Sequence, residues 1–392
     1  MKTTHALVRF PFVKDPLSQP TLSRELARVF IRTLFNRLNA AQTNWALPSS
    51  TAAYKLWMSL KAKKEGIPTE VVTEVIGDDG AKLHWIGRKD AKKVLLHFHS
   101  ESDIRSNHGA NFERHNLKGG GFVLPLHLGH FSLINYFRRE VTRRSGVEVK
   151  AAFLEYSSSP QLIGVENPIL ILLVIALSSR AKYPTQYRQA MHVVQHVVNS
   201  GISPADIVIT GDSAGGMLAM QVISIFLHPN SSITSMPMPS VPFAGILLIS
   251  PWAAMDSNAP SFVNNGGDCV SDISLGYFAK MAGRGIERTD TKGVPEEYWC
   301  EPLKAPTEWW RGTENITKHM LFIYGGHEAL RDDIVSLVEK VREAVKGTKV
   351  DVATMQDPTG VHIAPVLDAA VGRAPCDVTK FMANWVYDRI VT

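Results

Sequence analysis

The stretch from Ile207 to Leu227 constrains the fold of this chain more than any other. Its first residues, Ile207-Val208-Ile209, are apolar and β-branched, which favours a short buried strand. From Met217 onward the sequence has the length and composition of a helix. The residues between them, Gly211 to Gly216, are rich in glycine. The sequence therefore predicts a strand, a sharp turn and a helix.

The turn carries the pattern Gly-x-Ser-x-Gly, which is typical of a nucleophile elbow. A strained turn would push the Ser213 hydroxyl out over the sheet. Gly211 and Gly215 would avoid side chains that collide with neighbouring backbone. The N–H of Ala214, at the start of the helix, would point to where an oxyanion forms. An ordinary glycine-rich turn between a strand and a helix is the alternative.

The rest of the chain alternates between strand-like and helix-like segments. Further strands are predicted at 70–76, 81–87, 93–99, 147–156, 244–250, 320–324 and 350–355. Helices are predicted at about 127–144, 184–199, 332–345 and 376–391. This alternation predicts an α/β fold with a mostly parallel eight-stranded sheet and helices on both faces.

Two segments fall outside this alternation. Residues 1–65 look helical, with apolar side chains at near-helical spacing and arginines among them. They could pack on the core, form part of a lid, or contact a membrane surface weakly. Residues 252–315 are rich in Gly, Pro and Trp, which suits an insertion that closes over a site. We therefore divide the chain into an N-terminal helical cap segment, 1–65, and a main domain, 66–392.

Bulk properties exclude several classes of protein. The formal net charge is +5, and no basic run is interleaved with aromatic residues, so nucleic acid binding is not expected. Cys269, Cys300 and Cys376 form neither a metal pattern nor a disulfide framework, and they fit a reducing compartment. The longest apolar run, 169–177, is far shorter than the about 20 residues of a membrane span. The N-terminus lacks the apolar core of a secretory signal, so we expect a cytoplasmic protein.

A serine nucleophile needs a base and an acid that orients the base. In this type of sheet the chain order is serine, acid, histidine. Glu328 follows one predicted strand and His362 follows the next. Loops at the carboxyl edge of a parallel sheet converge. We therefore predict Ser213, Glu328 and His362 as a catalytic triad.

Alternatives remain for the acid and the base. Glu328 could instead pair with Arg331. Asp332 and Asp333 are rival acids, although they begin a predicted helix, where carboxylates are favourable in any case. Asp357 is a further rival. The histidine could be an ordinary surface residue of its loop.

The run Gly119-Gly120-Gly121 offers backbone N–H groups that no side chain obstructs, as an oxyanion hole requires. A flexible linker is the alternative. Together with His99, Gly211 to Gly216, Glu328 to Asp332 and His362, this run resembles the hormone-sensitive-lipase-like branch of the α/β-hydrolases. The resemblance covers roughly residues 70–392. It looks closest to fungal steryl acetyl hydrolases and to the esterases of secondary-metabolite gene clusters.

The resemblance implies an α/β-hydrolase fold whose helical cap is formed by residues 1–65 and 252–315. It implies hydrolysis of a short acyl ester, such as an acetyl ester, of a hydrophobic small molecule, without a cofactor or a metal. By the family's pattern Gly120, Gly121 and Ala214 would bind the oxyanion. Two other functions stay open on the same fold: a non-catalytic small-molecule binder, and an enzyme of acyl transfer or ring closure.

Two stretches depart from the family's pattern. Nineteen residues, 100–118, separate His99 from the glycine run that normally follows it directly. A second irregular stretch, 162–180, is also nineteen residues long and divides Glu155-Tyr156-Ser157 from Lys182-Tyr183-Pro184. Removing it restores the family's spacing. Our hypothesis is that both stretches are intervening sequence that the natural transcript lacks. If both belong to the protein, they are long loops, which are thermodynamically tolerable.

Overall fold

The computed structural model describes residues 22–37, 48–78, 80–99, 125–156, 184–230, 232–233, 236–282 and 293–391. The atypical stretches 100–118 and 162–180 lie outside these ranges. Gly120 and Gly121, which we predict to bind the oxyanion, also lie outside them.

Eight strands of the described residues form one sheet. They are β1 Val72–Ile76, β2 Ala81–Ile86, β3 Lys93–Phe98, β4 Val149–Glu155, β5 Ile207–Asp212, β6 Gly245–Ile249, β7 His319–Gly325 and β8 Asp351–Asp357. The spatial order is β1-β2-β4-β3-β5-β6-β7-β8. Strand β2 is antiparallel to both β1 and β4, and all other neighbours are parallel. The predicted mostly parallel eight-stranded sheet is confirmed.

The described helices match the predicted positions closely and add several short ones. They are α1 Leu22–Arg37, α2 Ser50–Lys61, α3 Leu128–Ser145, α4 Thr185–Asn199, α5 Ala214–Leu227, α6 Pro260–Val263, α7 Asp272–Ala282, α8 Glu297–Cys300, α9 Arg331–Ala344, α10 Ala364–Ala370 and α11 Asp377–Val391. The sequence did not predict α10, because its seven residues include Pro365 and stand just after a loop. Proline is tolerated in the first turn of a helix, where its missing N–H is not needed.

Both faces of the sheet are buried, and neighbouring residues of a strand enter different cores. Leu96 and Ile209 pack in one core with residues of α4, α5 and α9. Leu95 and Val208 pack in the other core with residues of α2, α3 and α11. Side chains alternate between the faces of a strand, so a sheet buried on both sides needs continuously apolar strands. This is why the central strands show no polar alternation.

The two segments outside the sheet contact each other. Helix α1 donates from Arg28 and Arg32 to backbone carbonyls of residues 265–270, in the stretch 252–315. Arg24 of the same helix donates to Asp368 of α10. These bonds within the protein support packing of α1 on the rest of the chain.

The tryptophans of the stretch 252–315 belong to the core. Trp299 and Trp310 are 1% and 0% exposed, and Trp309 is also buried. Across the described residues, no helix combines the length and the apolar character needed to cross a membrane.

Candidate active site

Ser213 stands in the turn between β5 and α5 with φ 53° and ψ −121°. A positive φ is uncommon for a residue with a side chain and is strained. Three backbone hydrogen bonds hold it there: its N–H donates to Ile249, and its carbonyl accepts from Met217 and Trp252. The predicted sharp turn is present, and the half-buried Ser213 stands at its apex.

The glycines on either side of Ser213 are required by close backbone contacts. A Cβ on Gly211 would lie 2.3 Å from the carbonyl oxygen of Gly215. A Cβ on Gly215 would lie 2.2 Å from the carbonyl oxygen of Phe98, at the end of β3. Both distances are far shorter than a van der Waals contact, so no larger residue fits. The structure therefore has the close backbone contacts that the sequence predicted at these two glycines.

A chain of two hydrogen bonds joins Ser213, His362 and Glu328. Nε2 of His362 lies 2.9 Å from Oγ of Ser213. Nδ1 of His362 lies 2.8 Å from Oε1 of Glu328. The acceptor-only carboxylate requires a proton on Nδ1, so Nε2 is left to accept from the serine hydroxyl. This is the arrangement of a serine nucleophile, its base and an acid that orients the base.

Glu328 is held by two further donors at its other carboxylate oxygen. Oε2 accepts from Oγ of Ser250 and from the N–H of Gly325, each over 2.9 Å. Ser250 follows β6 with φ 49°, and its Oγ also accepts from the N–H of Ile363. Sequence reasoning missed Ser250, because a serine at the end of a strand carries no distinctive signal.

The rival acids have other contacts. Asp332 accepts from Arg331 over 2.7 Å, which also removes the alternative partner of Glu328. Asp333 accepts from Ser257 over 2.9 Å. Asp357 accepts from the N–H of Thr359. The structure thus brings together Ser213, Glu328 and His362 and leaves these three aspartates apart from the histidine ring.

The environment of His362 favours its protonated form. The residue is 5% exposed, and burial lowers its pKa. The hydrogen bond and negative charge of Glu328 raise the pKa, and the carboxylates of Asp268 and Asp212 add to this effect. The net result is a pKa above the ordinary value of histidine. A buried imidazole flanked by carboxylates is therefore a stronger base than one in water.

A second buried group of polar residues lies next to Ser213, around Asp212. Oδ1 of Asp212 lies 3.1 Å from Nε2 of His97 in β3, and Oδ2 lies 3.5 Å from Nε2 of His130 in α3. Burial alone would raise the pKa of Asp212, but the imidazoles of His130 and His97 hold it well below its usual range. Asp212 thus adds a fixed negative charge beneath the elbow. In the sequence, the only indication of this buried polar group is the pair His97 and His99 at the end of the predicted strand 93–99.

Ala214 is the first residue of α5. The first N–H groups of a helix have no partner within the helix, so they are available to an anion. His99 is fully buried and stacks on Tyr156 with ring centroids 5.8 Å apart. Within the described ranges, no group of three or more His, Cys, Asp or Glu side chains could hold a metal ion.

The sheet order, the elbow after β5 and the positions of Glu328 and His362 after β7 and β8 define a protein with the α/β-hydrolase fold. A model of the family described as alpha/beta hydrolase fold matches residues 172–364. A comparison with curated protein sequences gives no match.

Solved structures of esterases share this fold at low sequence identity. A thermostable esterase from Pseudomonas putida is 16% identical with a TM-score of 0.55, covering 100% of this chain and 96% of its own. An esterase of the bacterial hormone-sensitive lipase family is 18% identical with a TM-score of 0.53, covering 93% and 98%. Carboxyl esterase 2 from the mycorrhizal fungus Tuber melanosporum is 14% identical with a TM-score of 0.53, covering 82% and 86%.

Proposed function

We propose that this protein is a serine carboxylester hydrolase. The observation that carries the proposal is the hydrogen-bonded series Ser213, His362, Glu328 at the carboxyl edge of the sheet. That the similar structures are esterases supports the same reaction class.

In the proposed reaction Oγ of Ser213 attacks the ester carbonyl carbon while Nε2 of His362 takes the hydroxyl proton. The tetrahedral intermediate then collapses, and His362 returns the proton to the departing alcohol. Water, activated by the same imidazole, attacks the acyl-enzyme and releases the acid. Glu328 holds the imidazole in the required tautomer and stabilises its positive charge in both steps.

The negative oxygen of each tetrahedral intermediate needs hydrogen-bond donors. We assign this role to the N–H groups of Ala214, Gly120 and Gly121. Ala214 is suitably placed because it follows the nucleophile and begins α5. Gly120 and Gly121 are assigned from the sequence pattern alone. Removing one such donor from the oxyanion hole of a serine protease lowers the rate by about 10²- to 10³-fold, and we expect an effect of that order here.

We propose a short acyl group, such as acetyl, on a hydrophobic small molecule as the substrate, with a role in secondary metabolism. We also propose that residues 1–65 and 252–315 form the cap over the site. The bonds from α1 to residues 265–270 support that assignment. A cytoplasmic location fits Cys269, Cys300 and Cys376, which are free thiols.

The test is turnover of p-nitrophenyl acetate by three proteins: the full chain, Ser213→Ala, and a form lacking 100–118 and 162–180. Activity of the full chain that Ser213→Ala abolishes is the expected result, and it makes both stretches tolerated loops. Activity of the shortened form alone supports the esterase and the hypothesis of intervening sequence.

If neither the full chain nor the shortened form hydrolyses the ester while both are folded, the proposal is overturned. A non-catalytic binder then becomes the better explanation. Product analysis separates hydrolysis from the remaining alternative. Acyl groups recovered on an acceptor other than water would indicate an acyltransferase or a ring-closing enzyme.

A further inference from the structure

Asp268 is a completely buried carboxylate in the stretch between β6 and β7. It follows the short helical turn Asn265–Gly267 and precedes α7, and its exposed fraction is 0%. Oδ1 accepts from the N–H of His362 over 2.8 Å and from its own neighbour Cys269 over 2.7 Å. Oδ2 accepts from the N–H of Ala329 over 2.8 Å.

Two of these N–H donors lie in the loops that carry the proposed base and the proposed acid. One is the backbone N–H of the base itself, His362, in the loop after β8. The other belongs to Ala329, the residue after the proposed acid, in the loop after β7. A single carboxylate therefore spans the two loops and ties the backbone of the base to that of the acid. The sequence pattern around Asp268 predicts neither of these two hydrogen bonds.

The carboxylate acts only as an acceptor here, since all three of its partners are backbone N–H donors. An ionised carboxylate matches that demand, whereas a neutral amide of the same shape does not. Burial and the negative charge of Glu328 raise the pKa of Asp268, while the charge of His362 and the N–H donors of Ala329 and His362 lower it, and the net result is a pKa above the ordinary value of aspartate. The three N–H donors are what favour the ionised form against burial. Hydrogen bonds to a charged group are shorter and stronger than neutral ones.

Helix α1 holds the same residue from the other side. Nη1 of Arg32 donates to the carbonyl oxygens of Asn265 and Asp268 over 2.8 and 3.1 Å. Nη1 of Arg28 donates to Gly266 over 2.9 Å and to Asp268 over 3.3 Å. The backbone of Asp268 thus faces the guanidinium groups of α1, and its side chain faces the base.

We propose that Asp268 is a positioning residue, which fixes the backbone of His362 relative to that of Glu328. This inference rests on the esterase function proposed above. It gives the turn around Asp268 a role in supporting the proposed base, because the contact series runs from α1 through Asp268 to His362.

Asp268 also acts on the base through its charge. The ionisable groups around His362 are Glu328 after β7, Asp268 and Cys269 before α7, and Asp212 at the end of β5. Each of the three carboxylates raises the pKa of His362. Removing the charge of Asp268 should therefore lower that pKa. A purely structural carboxylate elsewhere in the protein would not do so.

The test compares Asp268→Asn with Glu301→Gln. Glu301 is a matched control: it is 3% exposed, it lies in the same stretch, and it accepts from the N–H of Met255 over 2.7 Å. We expect Asp268→Asn to lower kcat by about 10²-fold, the typical effect of a small misplacement of a catalytic group. KM should change little. NMR titration of the His362 imidazole should show a lower pKa than in the wild type. Glu301→Gln should leave kcat and that titration unchanged.

The imidazole titration needs no turnover, so it separates this inference from the proposed function. Absence of Ser213-dependent ester hydrolysis in both the full chain and the shortened form would overturn the proposed esterase function, and the titration would still test the effect of Asp268 on His362. An unchanged pKa of His362 and unchanged kcat in folded Asp268→Asn would overturn the inference.

If Asp268→Asn fails to fold, amide hydrogen exchange of the wild type replaces it. The N–H groups of His362 and Ala329 should exchange slowly, and in Arg32→Gln they should exchange faster than in Glu301→Gln. Rapid exchange of both groups in the wild type would contradict the inference.

Discussion

Oγ of Ser250 donates a hydrogen bond to Oε2 of Glu328 over 2.9 Å, and it accepts the N–H of Ile363 over 3.0 Å. The serine at the end of β6 thus connects the proposed acid to the residue that follows the proposed base. Ser213, Glu328 and His362 follow β5, β7 and β8, and Ser250 follows β6, the strand between β5 and β7.

We expect Ser250→Ala to lower kcat by about 10-fold or more, because a hydrogen bond to a charged group contributes about 1.5–3 kcal/mol. Ser250→Gly is the control for the backbone, since residue 250 has φ 49°, which glycine adopts without strain. Steady-state kinetics on p-nitrophenyl acetate should show similar losses for both variants. Full activity in Ser250→Ala would mean that the hydroxyl does not support the acid.

Gly215→Ala should destabilise the protein by about 1–3 kcal/mol or more, the usual effect of overpacking. The added Cβ would lie 2.2 Å from the carbonyl oxygen of Phe98, in a central strand that has no room to move. Gly276→Ala in α7 is the control, because a Cβ there meets nothing within 4 Å. Urea unfolding of both variants measures the difference. Equal stability of the two would contradict the close approach of the elbow to β3.

Glu328→Gln tests the tautomer of the base. Ser250 and Gly325 both donate to Oε2, so the amide oxygen of the variant should take that position and its NH2 group should face His362. The imidazole must then accept at Nδ1 and carry its proton on Nε2, where it cannot take the proton of Ser213. By analogy with the serine proteases, kcat should fall by about 10⁴-fold.

The pH profile of kcat/KM gives a second readout of the same pair. In the wild type the acid limb should lie above about pH 6.5, since Glu328 raises the pKa of the base and protonated His362 is inactive. In Glu328→Gln the limb should move to lower pH. Asp357→Asn, which removes one of the rival acids, should leave both the rate and the limb in place. A large loss in Asp357→Asn would point to the wrong acid.

Asp333 should make the native state less stable as the pH rises. Burial raises its pKa to about 6, so between about pH 4 and about pH 6 the native state binds more protons than the unfolded chain. The stability that the carboxyl of Asp333 contributes to the native state is present at the low end of that range. It is lost as the pH rises through the pKa of the folded state. Asp333→Asn should therefore gain free energy of unfolding relative to the wild type as the pH rises from about 4 to about 7.

The measurement is the difference in free energy of unfolding between Asp333→Asn and the wild type at several pH values. Asp78→Asn, a change at an exposed residue, is the control. A difference that does not change with pH would show that Asp333 is as easily ionised in the fold as in the unfolded chain.

The sequence by itself predicted the sheet and the sharp turn after β5, and it indicated Ser213 as the proposed nucleophile. Apolar, β-branched runs such as Ile207–Ile209 favour strands, and the structure buries this strand in a sheet that is covered on both faces. The need for glycine at 211 and 215 was also predicted from the sequence, because the turn that these residues flank leaves no room for a Cβ. Short-range sterics and periodicity are properties of neighbouring residues, so they are visible in one chain.

Only the tertiary structure decided which groups surround the base. Glu328 and His362 are 34 residues apart, and Asp268 is 94 residues from His362, yet both carboxylates contact it. The choice between Glu328 and its rivals depended on where each side chain pointed, which periodicity does not encode. Ser250 and Asp268 carried no local signal, because a serine after a strand or an aspartate in a loop is ordinary. Their positions follow from the convergence of strand ends and from the packing of α1 against residues 265–270, which no single segment specifies.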